Sequence, residues 1–213
     1  SWYVFNVGYI AFPVVCFCDI PLSRISDHVG FYGNFGIGVS KEWALANNLN
    51  PVAYLAKTSN FGAAINNVYK NSDRASDESS KAFYEESGYD LNMILSYLKP
   101  LEGKMFIGGN QIEKEFYQEN EWRFVPKNED ITMWLSKQIY ETPSELEKHN
   151  NLTKNLSSLK VSPKDIKYIF VPSDSEIPEI VNFIQTKLDH YSNSDLKILM
   201  SRVISLESIS RDL

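Results

Sequence analysis

The apolar positions change period repeatedly along the chain. Val14 to Ile20 (VVCFCDI) is a short β-rich run closed by Asp19, Ile20 and Pro21, the pattern of a buried strand. A helix is expected over Arg24 to Phe31 with Ser23 as its N-cap, ended by Tyr-Gly-Asn-Phe-Gly at Tyr32 to Gly36. Phe35 to Ser40 reads as a second strand, Lys41 to Asn47 as a helical turn or two, and Val52 to Leu55 as a third strand after Asn50-Pro51. The alternation is β-α-β-α-β.

Helical material is expected from Asn60 to Leu98, around a polar loop insertion at Asn71 to Ser80. Lys104 to Ile107 reads as a strand, Gly108-Gly109-Asn110 as a turn, and Glu119 to Val125 as a strand closed by Pro126. Downstream, Thr142 to Glu145 opens a short helix and Asn150 to Ser158 reads as a loop. Asp165 to Val171 is a strand, followed by a helix from Ser175 on which Ile180, Phe183, Ile184 and Leu188 recur at helical spacing. Leu196 to Ile204 reads as a last strand before a short helix.

At 213 residues, 43% hydrophobic and 23% charged, the chain has the make-up of one ordinary globular domain over 1–213. A net charge of −6 gives no general basic field for nucleic acid or an anionic membrane. Pro13, Asp19 and Pro21 interrupt the richest apolar stretch well short of a bilayer span. The opening SWYVFNVGYIAF has neither a basic lead nor a cleavage site of small residues, and no initiator Met. The chain reads as a cytoplasmic protein, and as a fragment or as ordered pieces joined across gaps. Cys16 and Cys18 share one strand face, where a strain-free internal disulfide is disfavoured, and read as reduced thiols. His28, His149 and His190 are scattered without ligand spacing, so no metal is expected.

No Rossmann, P-loop, zinc-protease or nucleophile-elbow motif is present, and Gly36-Ile37-Gly38 sits inside a strand-like run. The most informative segment is Glu119-Asn120-Glu121-Trp122-Arg123. On one strand, Glu119 and Glu121 would share a face, and their proximity would raise the pKa of at least one. The spacing by itself favours an edge strand with solvated glutamates and an Arg123 salt bridge. His28 and Tyr32, at i and i+4, share a helix face near Asp19; the three either converge on a ligand or serve local capping and packing.

The ordered motifs VVCFCDIPL, SDHVGFYGNFGIGVSKEWA, NPVAYL and FYQENEWRFVP resemble the AbiGi-type abortive-infection family, whose members carry the label of antitoxin in phage exclusion. The Glu-x-Glu also resembles the signature of ADP-ribosyltransferases. That second likeness implies an α+β fold, a single-domain small split β-sandwich with flanking helices. It implies NAD as substrate, with Glu121 stabilising the oxocarbenium-like transition state and Glu119 positioning the acceptor. Asp19, Ser23, Arg24, His28, Tyr32 and Arg123 would then line the dinucleotide pocket. Two functions follow from these likenesses. One is an NAD-dependent mono-ADP-ribosyltransferase-like effector acting on a macromolecule, nucleic acid slightly favoured. The other is a non-enzymatic antitoxin or interaction module with a cognate toxin or antitoxin partner. A metal-dependent nuclease using Asp19, Glu119 and Glu121 is the third reading.

Overall fold

The computed structural model describes residues 9–56, 58–72, 88–107 and 109–211. Of the expectations above, Ser1 to Gly8, the insertion from residue 73 on, and Gly108 of the turn lie outside them. In chain order the elements are β1 (Ile10–Ala11), β2 (Val15–Cys18), α1 (Ile25–Tyr32), β3 (Gly36–Val39), α2 (Lys41–Ala46), β4 (Asn50–Pro51), β5 (Ala53–Leu55) and α3 (Asn60–Ser72). Residues 88–96 are helical (α4). Then come β6 (Leu98–Pro100), β7 (Glu102–Ile107), β8 (Asn110–Glu115), β9 (Glu121–Phe124), β10 (Leu135–Ser136), α5 (Lys137–Tyr140) and α6 (Pro143–Leu156). The chain closes with β11 (Ile166–Val171), α7 (Ile177–Lys187), α8 (Asn193–Met200), β12 (Val203–Ser205) and α9 (Leu206–Arg211). The class is mixed α+β.

Chain contacts divide the protein into two compact units, Ser1–Asp19 with Leu49–Ser158, and Ile20–Asn48 with Leu159–Leu213. In the first unit β9 is the centre of a sheet ordered β2-β9-β4, antiparallel to both neighbours. β5 pairs in parallel with β6, and β7 with β8 as a hairpin. The step from β4 to β5 decides where the polar residues meet. Asn50–Pro51 lies against β9 and Ala53–Leu55 against β6, so one short segment joins the strand carrying Glu121 to the strand carrying Lys99. Leu55, Leu95 and Leu98 form the apolar cluster beside this junction, backed by Phe12, Ile65 and Tyr69.

In the second unit the sheet runs β12-β11-β3, with β12 parallel and β3 antiparallel to β11. Ile166, Ile184, Leu196 and Leu199 form its core. The Gly-Ile-Gly of β3 is a packing device: a Cβ on Gly36 would come within 2.2 Å of the Phe170 ring, and one on Gly38 equally close to the Tyr168 ring. Only glycine leaves room for the two rings to lie across β3.

Four expected elements are corrected. Ser23 is not a helix cap: Leu22–Arg24 is a 3-10 turn, and α1 begins at Ile25 without a side-chain cap. Asn150 to Ser158 is not a loop, because α6 runs on to Leu156; its polar residues are an exposed helix surface. Leu196 to Met200 is helix, since Leu196 and Leu199 are both buried at a spacing of three and Ser192 caps the start by accepting the Asp195 N–H at 3.2 Å. Glu119 is not on a strand. It ends a 3-10 turn, Phe116–Glu119, and Asn120 follows at φ 44°, a left-handed conformation that asparagine tolerates better than most side chains.

Candidate functional site

Because Asn120 breaks the chain direction, Glu119 and Glu121 reach one place from two elements. Both accept hydrogen bonds from the Lys99 ammonium, Glu119 at 2.5 Å. Glu119 also faces Lys114 of β8 at 3.2 Å, and Glu121 pairs with Arg123. Arg123 in turn donates to the carbonyls of Ser96 and, at 3.2 Å, Leu98. The Lys99 ammonium lies 4.8 Å from the centre of the Phe116 ring. The Glu121 N–H donates to the Tyr54 hydroxyl at 2.8 Å. Two carboxylates are thus met by three cations drawn from β6, β8 and β9.

The cluster is almost dry. Residue exposures are 2% for Glu119, 3% for Glu121 and 2% for Arg123, which overturns the solvated edge strand. The expected upward carboxylate shift is also corrected for Glu121. Burial works to raise its pKa, but the Arg123 guanidinium and Lys99 ammonium, by charge and hydrogen bond, hold it below the usual range. Burial likewise opposes the charge on Lys99, and Glu121 and Glu119 together outweigh it, so that pKa is raised. At Glu121 the like-charge effect is outweighed first by Arg123, two residues along the same strand, and then by Lys99, from a strand some twenty residues away in sequence. Lys99 and Lys114 carried no motif that would have marked them, and Tyr54 was marked only as part of NPVAYL, with no role attached; a Lys preceding Pro100 at the edge of an apolar run was the one hint of a buried use.

The thiols of β2 lie beside the pair, with Cys16 opposite Arg123 and Cys18 opposite Glu121 in register. Burial first, then the Glu121 charge and hydrogen bond, push the Cys16 pKa up to about 11; burial and the Glu119 and Glu121 charges push Cys18 up to about 12. Both thiols are free, and they stay protonated near neutrality.

Asp19 follows β2 but is exposed, and it meets the Glu-x-Glu segment through backbone: its N–H donates to the Asn120 carbonyl at 3.2 Å. Among the described residues no three His, Cys, Asp or Glu side chains gather to hold a metal, so the nuclease reading finds no ligand set. Ser23, Arg24, His28 and Tyr32 belong to the second unit. Ser23 and Arg24 are exposed, and His28 stacks on Tyr32 with ring centres 4.5 Å apart, the shared helix face that their spacing predicts. No helix among the described residues is long and apolar enough to cross a membrane.

Residues 4–172, which include the whole ion cluster, match the family model described as "Putative abortive phage resistance protein AbiGi, antitoxin". The chain belongs to the AbiGi family. An AbiGi relative from Lactococcus lactis subsp. cremoris, named abortive phage resistance protein AbiGi, is 29% identical over 239 aligned residues, covering 100% of this chain and 90% of the relative. No solved structure matches the chain. For AbiGi membership, then, FYQENEWRFVP is one part of a match running through both units.

Proposed function

We propose that the chain is a non-enzymatic antitoxin of an abortive-infection system, acting in the cytoplasm by binding a toxin protein. The observation that carries this reading is the saturation of the Glu-x-Glu pair. Glu119 and Glu121 are buried, and Lys99, Lys114 and Arg123 occupy their oxygens. A catalytic carboxylate must meet its substrate, whereas these two hold β6, β8 and β9 to one another. The family description supplies the other half of the argument, since it names an antitoxin.

A second reading is favoured by one observation. Glu121 is fixed and held ionised, the state that stabilisation of an oxocarbenium-like centre needs. In this reading the first unit works as part of an ADP-ribosyltransferase-like split β-sandwich. NAD is the substrate, met in the first unit by Glu121 and the neighbouring Asp19, and nucleic acid or protein is the acceptor; Ser23, Arg24, His28 and Tyr32 lie in the second unit. Lys99 would have to leave Glu121 before substrate could approach. Arg123, turned inward onto Glu121 and two carbonyls, is poorly placed to meet a pyrophosphate.

Two assays separate the readings. Co-expression with the cognate toxin restores growth if the chain is an antitoxin, and purified protein transfers no label from NAD to DNA, RNA or protein. Label transfer that disappears in Glu121→Gln would overturn the antitoxin reading in favour of the transferase.

A further inference from the structure

We infer that the β7–β8 hairpin is the arm on which this chain takes its partner, and that the partner presents a basic extended strand. The inference rests on the antitoxin reading and names the chemistry of its binding surface.

The hairpin pairs with no third strand among the described residues. An isolated two-stranded ribbon is marginal in water, and its free edge is a template for another strand. Its two faces differ. One carries Gly103, Lys114, Met105 and Ile112, anchored at the base by Lys114 on Glu119 and by Gly103 lying against the Phe116 ring. The other carries Glu102, Lys104, Glu113 and Glu115, all exposed.

On that exposed face Glu102 and Glu115 stand directly opposite each other. Like charges in opposed positions destabilise a strand pair. Lys104 lies 3.8 Å from Glu113, and Glu115 accepts from the Gln118 amide; among the described residues no cation pairs with Glu102 or Glu115. Edges that only need protection from aggregation are commonly blunted with lysine. Here the face keeps a repulsive acidic pair beside an edge that no strand among the described residues covers, an arrangement satisfied by a Lys or Arg of an incoming strand. A polyanion such as nucleic acid is repelled by the same pair.

The test uses the full chain and its purified cognate toxin, with affinity read by calorimetry and thermal unfolding read in parallel. Two variants are compared, Glu102→Gln with Glu115→Gln, and Glu102→Lys alone. Relief of the repulsion raises the unfolding temperature of both, while toxin binding weakens by about tenfold in the first and more in the second, and wild-type binding falls with added salt. Opposite signs for stability and binding are the signature of a face kept for a partner. Toxin binding by wild type and both variants with equal affinity overturns the hairpin inference and leaves the antitoxin reading standing. No binding by wild type overturns both.

Discussion

Glu121 and Arg123, two residues apart on β9, are ion-paired to each other with their side chains 4% and 2% exposed. Removing Arg123 leaves the buried Glu121 with Lys99 alone, an ammonium that it shares with Glu119. Arg123→Met is therefore expected to cost about 3–5 kcal/mol in urea unfolding. A cost below 1 kcal/mol would show that the pair is hydrated in solution.

Glu121→Gln tests the same network through pH. The folded pKa of Glu121 lies below its unfolded value, so folding favours the ionised form. Its contribution is complete above the unfolded value of about 4.3 and is lost as pH falls through the folded pKa. The acid limb of the stability profile should be shallower in Glu121→Gln. Lys99 has the opposite sign: its raised pKa contributes fully below about 10.4 and is lost as pH rises through the folded value. Lys99→Met should flatten the alkaline limb.

The thiols report on the cluster from its rim. With a Cys16 pKa of about 11, roughly one thiol in a thousand is ionised at pH 8, so alkylation by iodoacetamide should be slow in the native protein. Glu121→Gln removes a neighbouring negative charge and a hydrogen-bond acceptor, and should speed alkylation of Cys16, followed by mass spectrometry of the labelled peptide. Unchanged rates would place the thiol out of reach of Glu121.

Gly36→Ala should destabilise the second unit by about 1–3 kcal/mol, the range for overpacking. Gly38→Ala should cost less. Phe170, across Gly36, is 7% exposed and has nowhere to swing, whereas Tyr168, across Gly38, is only partly buried. Equal costs in chemical denaturation would mean that the backbone, and not the rings, takes up the strain.

What the sequence made legible was local. VVCFCDI and DIKYIFV announce their strands, although β2 is partly exposed and not the buried strand expected, and Ser175 to Glu179 announces a helix whose capping box lies two residues earlier, joining Ser173 and Glu176. His28 and Tyr32 meet as their spacing requires. The readings that failed depended on partners remote in sequence. Leu196 and Leu199 look like strand residues until Ile184 is placed against them. Glu119 and Glu121 look solvated until Lys99 and Lys114 arrive. The turn at Asn120 was written in the residue type, but the extended run around it masked the signal.

The pairing of β3 with β11 sets an order of events during synthesis. Val39 lies opposite Ile166, about 130 residues further on, and translation at 5–20 residues per second takes roughly 6 to 26 s to cover that distance. Throughout that interval Gly36–Val39 has left the ribosome without the strand it pairs with. A chain halted at Ser158 holds every strand of the first unit and none of the partners of β3. A chain interrupted there would keep the hairpin arm with the second unit unfinished, a ready substrate for proteases.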